Sequence, residues 1–323
     1  MVAVLAAGVV FLAQRAAAFN GAVSTEAAVS MRLFGPFAGG DRVNVLLLGY
    51  SDESRAGAYL SDSINVLSID RESGVTSMIG IPRDLWVEGL PEVPDNMKIN
   101  EALRLGFYAG GLENGAELAA QAVTHVTGLP IDGYLTLDFQ GFEAMVDAVG
   151  GVTVENPTAF SYTWDEANFL AQNFRGSFDA GTLELDGREA LTYARNRYTS
   201  VVAESSDFAR LVRQQRVLEA IRNEVSGWAM LPKALAISGA LEGHMRTNMS
   251  VADLAMLASK MDPDRRIDLP EDVILRASTN SLGQYILVVV GQATPTDYTL
   301  LHAFIESALD APLEEPEAST TAQ

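Results

Sequence analysis

Apolar and polar positions along the chain fall into two rhythms. Val43–Leu48 is apolar at nearly every position and ends at Gly49, the pattern of a strand buried on both faces. Two further apolar runs, Ile64–Ile69 and Val75–Ile81, are joined by Arg71-Glu72-Ser73-Gly74. Runs rich in Ile and Val, broken by a polar turn ending in Gly, predict a β-hairpin. Ile131–Leu137 alternates as a strand does, Val152–Glu155 is a shorter strand, and Tyr285–Val290 reads as a buried one. Helical spacing appears at Lys98–Leu105, after the proline-rich loop Pro91–Asn96. It returns at Glu113–Val126, where Leu118, Ala119, Ala122, Val123 and Val126 share one face. Phe142–Val149 is a helical run stopped by Gly150-Gly151. Asp186–Arg195, Phe208–Glu224, Val251–Ser259 and Asp297–Leu309 complete the predicted helices, while residues 158–177 carry no period. Strands alternating with helices predict an α/β fold around a central mixed sheet.

The ends behave differently. Met1–Ala13 is unbroken apolar sequence followed by Gln14 and Arg15. It falls short of the roughly 20 residues that span a bilayer, and it lacks the positive start of a secretory signal. We read residues 1–15 as the outer end of a truncated membrane anchor, which would place the rest of the chain outside the cytoplasm. Residues 16–41, with Gly-Pro and Gly-Gly breaks, read as a linker, and 42–310 as the main domain. Residues 311–323 read as an acidic, disordered tail.

Composition narrows the chemistry. The 323 residues carry a formal net charge of -20, an apolar fraction of 48% and no cysteine. The core can therefore be large, disulfides and thiolate metal sites are excluded, and the acidic balance argues against nucleic acid as a partner. His125, His244 and His302 lack metal-ligand spacing and read as ordinary structural or surface histidines. Asn248-Met249-Ser250 fits a glycosylation sequon, but a helix N-cap ahead of Val251 explains Ser250 equally well.

Candidate chemistry sits at the hairpin ends. Asp62 precedes its first strand and Arg83-Asp84 follows its second, so antiparallel pairing makes them neighbours. If Val43–Leu48 pairs alongside, Asp52 joins them. Two carboxylates and an arginine at one sheet edge suit a hard cation plus a phosphate. They also suit ordinary loop charges.

A second concentration lies in Tyr193–Arg222. Arg195, Arg197, Arg210, Arg213, Arg216 and Arg222 stand against Glu204, Asp207 and Glu219; six minus three leaves +3 within a chain at -20. Asp207 is a candidate N-cap for the helix from Phe208. Val217, Leu218 and Ile221 mark the apolar stripe, and one to two turns back it carries Arg210, Arg213 and Gln214. Arg216 and Arg222 project onto a solvated face. Arginine is seldom buried without a partner. The partner is either an internal carboxylate or a ligand such as a diphosphate, and spacing leaves both open.

Nine segments in order, LLLGYSDESR, LSDS, SIDRESG, IPRD, KINEAL, GG, GF..MVDAVGGV, LDGREALTYARNR and DFARLVRQQ, give the chain a resemblance to the LytR-CpsA-Psr (LCP) family over residues 42–225. The resemblance implies a single LCP-type domain, an α/β/α sheet with an apolar pocket for a lipid tail. It implies an enzyme anchored in the cell membrane on the extracytoplasmic face, which moves a glycopolymer from a polyprenyl-pyrophosphate carrier to a peptidoglycan acceptor. The implied cofactor is Mg²⁺, or Mn²⁺ in its place, held by Asp52 and Asp62. The implied pyrophosphate ligands are Arg83, Arg195, Arg197, Arg210, Arg213 and Gln214, with Asp52, Asp62, Arg83 and Arg210 as the catalytic set. Asp52 or Asp84 would take the acceptor proton. One departure stands out: the family usually has arginine immediately before the Ser/Thr-Asp of its second motif, where this chain has Leu60, with Arg55 five residues earlier. Loss of one guanidinium–phosphate contact costs about 1.5–3 kcal/mol, and it favours a second reading, a polyprenyl-phosphate binder without turnover. A transcriptional attenuator is disfavoured by the charge and the outward address.

Overall fold

The computed structural model describes residues 40–313 except 54–56, 92, 94–95, 163–175, 197–198, 206, 225–236, 238, 251–252, 254–256, 258–262, 272 and 292–296. The anchor, linker and most of the tail expected at the termini lie outside the described residues, as do Arg55 and Arg197. The chain divides into two compact units. The first combines Phe37–Leu135 with Asp262–Gln323, and the second contains Thr136–Met261.

The first unit opens with three antiparallel strands, β1 (Arg42–Tyr50), β2 (Ser61–Asp70) and β3 (Thr76–Gly80), in the register Leu46↔Val66 and Val66↔Ile79. The hairpin turn forms as expected: Asp70 Oδ1 accepts from the backbone of Ser73 at 2.7 Å and from its hydroxyl at 2.8 Å, and Gly74 takes φ +73°. A short ladder follows, β4 (Trp86–Val87) against β5 (Met97–Lys98), pairing Trp86 with Lys98. Lys98 is thus a strand residue rather than the start of a helix. A 3₁₀ turn at Ile99–Glu101 leads into α1 (Ala102–Thr127), which loses helical geometry at Gly110 and Gly111 and resumes. The two helical stretches are the two predicted ones, and Gly106 and Gly115 let their backbones approach. β6 (Gly133–Asp138) begins in this unit, where Asp132 N donates to Asn44 O at 2.8 Å.

In the second unit, α2 (Phe139–Val149) is capped by Asp138, which accepts from Gly141 N, and stops at Gly150 with φ +93°. β7 (Val152–Asn156) follows as expected. The region without periodicity contains two short paired strands, β8 (Phe160–Tyr162) and β9 (Gly176–Phe178). Three residues a strand are too few to show a period. β10 (Gly181–Leu185) pairs with β7, and α3 (Gly187–Arg195) starts in a capping box between Asp186 and Glu189. α4 (Asp207–Glu224) packs on α3 and β7; the side chain of Asp207, the expected N-cap, lies outside the described residues. β11 (Met245–Thr247) joins the C-terminal half of β6, with Asp138 N donating to His244 O at 3.2 Å.

The chain then returns to the first unit. β12 (Arg265–Asp268) runs parallel to β3, Ile267 beside Ile79, which makes the central sheet mixed. β13 (Leu275–Thr279) and β14 (Tyr285–Val289) form a hairpin, and α5 (Thr299–Asp310) closes the chain. Leu301, Ile305 and Leu309 bury one face of α5 in a core shared with α1 and with Leu46, Leu48, Val66 and Ile79 of the sheet. Arg265 donates to Leu309 O at 2.7 Å and Arg42 to the same oxygen at 3.0 Å, so two guanidinium groups satisfy the open end of α5.

Candidate functional site

Strand pairing in the first unit brings the end of β1, the start of β2 and the end of β3 to one edge. Asp62 stands at the start of β2, and the Arg83 guanidinium donates to its Oδ1. Arg83 Nε also lies 3.6 Å from Asp84 Oδ2, and Lys98 Nζ donates to Asp84 Oδ1 at 2.7 Å. The β4–β5 ladder sets this geometry: Ile99 N donates to Leu85 O at 2.8 Å and Asn100 N to Arg83 O at 3.2 Å. Asp52, 7% exposed, follows β1 on the same edge. Asn100 is 4% exposed, and its Oδ1 has no hydrogen-bond partner among the described residues. An acceptor buried in that state is left for a ligand or a water.

The loop between the two carboxylates is held by an aromatic residue. Tyr59 has φ +62°, unusual outside glycine, and its ring stacks on Phe107 with centroids 3.6 Å apart. Its hydroxyl donates to Glu53, and burial, then that carboxylate, push the phenol above its ordinary pKa. Tyr59 N donates to Ser51 O at 2.7 Å and Ser51 N to Leu60 O at 3.1 Å, which ties the residues beside Asp52 and Asp62 together. Leu60 is half-buried.

Asp52, Asp62 and Asp84 set three negative charges against the two positive charges of Arg83 and Lys98, a net of -1. This edge alone does not attract a diphosphate, and a cation bound there would offset its charge. Among the described residues no group of three or more His, Asp or Glu side chains could hold a metal alone. Mg²⁺ commonly takes one or two carboxylates and completes its shell with water and phosphate oxygens, so the donor chemistry of Asp52 and Asp62 fits it.

In the second unit the spacing of the arginines holds: Arg210 is 7% exposed and Arg213 fully buried, with Gln214 half-buried on the same helix. The structure shows what Arg213 does there. Nε donates to Tyr193 O at 2.9 Å, Nη2 to Asn196 O, and Nη1 to Glu204 O at 2.9 Å and Oε2 at 2.7 Å. It thus ends α3 and ties it to the segment that follows, which realises the internal ion-pair alternative for this residue. Burial lowers its pKa and Glu204 opposes that. Arg195, between the two carbonyls that Arg213 holds, lies over Phe139 at 3.9 Å. Arg216, expected on a solvated face, is half-buried and donates to the Tyr193 hydroxyl at 3.3 Å, because the aromatic cluster of Phe160, Phe178 and Tyr193 extends to that side.

The histidines make structural contacts: His244 Nδ1 with Asp138 at 2.9 Å, His125 Nε2 with Glu88 O at 2.8 Å, and His302 Nε2 with His125 O at 3.2 Å. Ser250 and Asp253 exchange the hydrogen bonds of a helix cap, as the N-cap reading requires. The sequence missed Lys98, Asn100 and Tyr59. Lys98 and Asn100 stand in the KINEAL segment, where polar residues alternating with Ile99 were the available signal.

A model described as the LytR_cpsA_psr family matches residues 8–289. The chain is 34% identical over 217 residues to polyisoprenyl-teichoic acid–peptidoglycan teichoic acid transferase TagU of Oceanobacillus iheyensis, covering 67% of this chain and 62% of that one. It is 30% identical over 212 residues to the corresponding transferase TagV of Bacillus subtilis, covering 65% and 50%. The matched region therefore spans less than two thirds of these relatives. A crystal structure of a Streptococcus agalactiae protein superposes with a TM-score of 0.60 at 23% identity, covering 85% of this chain and 90% of that one, and shares the fold. Among the described residues no helix is long and apolar enough to cross a membrane. The chain belongs to the LytR_cpsA_psr family.

Proposed function

We propose that this protein transfers a glycopolymer from a polyprenyl-pyrophosphate carrier to peptidoglycan or a related cell-envelope acceptor, forming a phosphodiester. The observation that carries this reading is the Asp62–Arg83 pair beside Asp52, in a chain whose relatives bear transferase names. The same proposal includes Mg²⁺, an N-terminal membrane anchor, an apolar pocket for the lipid tail and work on the extracytoplasmic face.

In the proposed reaction Arg83 binds and orients the diphosphate. An acceptor sugar hydroxyl attacks the phosphorus bonded to the glycan. The new oxygen–phosphorus bond forms as the bond to the bridging oxygen breaks, and polyprenyl phosphate leaves with those electrons. The hydroxyl proton passes to Asp52 or Asp84. Mg²⁺, held by Asp52 and Asp62 when bound, supplies neutralising charge for the phosphate oxygens. The family resemblance extends the diphosphate role to Arg195, Arg197, Arg210, Arg213 and Gln214.

The test is release of polyprenyl phosphate from a polyprenyl-pyrophosphate-linked sugar with an acceptor glycan and Mg²⁺. Asp62→Ala and Arg83→Ala should each lower the rate by roughly a hundredfold or more. Unchanged release would overturn the assignment. The rival reading, a carrier without turnover, is favoured by Leu60. It predicts tight lipid binding and no release with Mg²⁺ or Mn²⁺.

A further inference from the structure

We propose that Lys98 is a positioning residue which, by pairing with Asp84, keeps the charge of Arg83 available to an incoming anion. The inference rests on the diphosphate reading above.

Arg83 faces two carboxylates, Asp62 through Nη1 and Asp84 through Nε. A guanidinium flanked by two negative charges is more than neutralised, and its attraction for a third anion is largely spent. Asp84 is a poor companion for a phosphate-binding arginine unless its own charge is cancelled. Lys98 cancels it: the ammonium takes Oδ1 at 2.7 Å while Oδ2 remains 3.6 Å from Arg83. One oxygen is thus quenched by the ammonium, and the other stands near the guanidinium without a hydrogen bond to its Nε.

The pair is preorganised. Lys98 sits on β5 opposite Trp86, and the two hydrogen bonds from Ile99 and Asn100 fix the backbone of Lys98 against that of Arg83 and Asp84. The Lys98 and Asp84 side chains are 20% and 8% exposed, so solvent screens them less than a surface pair. A packing role alone would call for apolar residues here. A direct ligand role for Lys98 would leave its shortest contact unexplained, because that contact is to a carboxylate.

The sign of each substitution follows. Lys98→Met restores the full charge of Asp84 next to Arg83 and weakens anion binding. Asp84→Asn removes that charge and does not weaken it. Combining the two removes one charge of each sign and returns the Arg83 surroundings to near the parental balance.

The experiment is calorimetric titration of the full chain with inorganic pyrophosphate in Mg²⁺ buffer, alongside the transfer assay. Lys98→Met should raise Kd by roughly tenfold, with KM rising and kcat nearly parental. Lys98→Gln, which keeps a hydrogen bond to Asp84 without the charge, should do the same if Lys98→Met fails to fold. Lys98→Arg should restore affinity. Asp84→Asn should bind as well as the parent, and Lys98→Met/Asp84→Asn should come within about threefold of it. A parent that binds no pyrophosphate overturns the diphosphate reading itself. A parent that binds, with Lys98→Met unchanged or the double variant as weak as Lys98→Met, overturns this inference alone.

Discussion

Arg213 shows how much a single side chain can organise. Its guanidinium is fully buried and serves three backbone carbonyls and one carboxylate. Replacing it by Met strands the Glu204 charge and leaves those acceptors without donors. Loss of one partner from a buried pair costs about 3–5 kcal/mol, so Arg213→Met should lower the urea midpoint accordingly, and Arg213→Lys should recover only part. A residue whose main task is to meet ligand would cost far less. Spacing revealed that Arg210, Arg213 and Gln214 share a buried face. It could not reveal the partner, because Glu204 stands in a short 3₁₀ turn, Val202–Ser205, that no periodicity encodes. Asp62 and Arg83 were legible for the opposite reason: a local hairpin fixes which ends meet.

At the scale of elements, α1 is the instructive one. The sequence predicts two helices separated by a gap. The structure keeps them as one element interrupted at Gly110 and Gly111, then folds the stretches against each other at Gly106 and Gly115. A Cβ on Gly106 would sit 2.6 Å from Asn114 O and from Gly115 Cα, whereas one on Gly110 would meet only the Asn114 side chain, at 3.1 Å. Gly110 has φ −164°, open to any residue. Gly106→Ala should therefore cost about 1–3 kcal/mol and Gly110→Ala under about 1 kcal/mol, read by thermal or chemical unfolding. The helix beginning at Asp186 was legible in the sequence, and the structure adds the capping box between Asp186 and Glu189 that starts it. β8, β9 and β10 were hidden, being short strands whose stability comes from their partners rather than from their own pattern.

For the whole molecule, charge is the governing quantity. In a chain at -20, a net of -1 at the first unit's site edge opposes a diphosphate, and the proposed cation would offset that charge. Binding of Mg²⁺ and of pyrophosphate should consequently be coupled, and the coupling must be reciprocal. Chelation should weaken pyrophosphate binding by at least roughly tenfold, and pyrophosphate should tighten Mg²⁺ binding by the same factor, both measured by titration calorimetry. Equal affinities with and without the cation would contradict the charge argument. The mixed α/β class was legible from strands alternating with helices, but β12 was not, since nothing local marks residues 265–268 as a strand.

The pairing of β12 with β3 also has a temporal side. Thr76 and Asp264, which bond at the mouth of this pair, are 188 residues apart in the chain. A ribosome adding 5–20 residues per second needs roughly 10–40 s to cover that distance. Throughout that interval the nascent protein carries β3 with one flank unzipped and sticky, while an entire intervening unit is being made. Whatever escorts the newborn polypeptide must shield that flank until residues 265–268 have emerged.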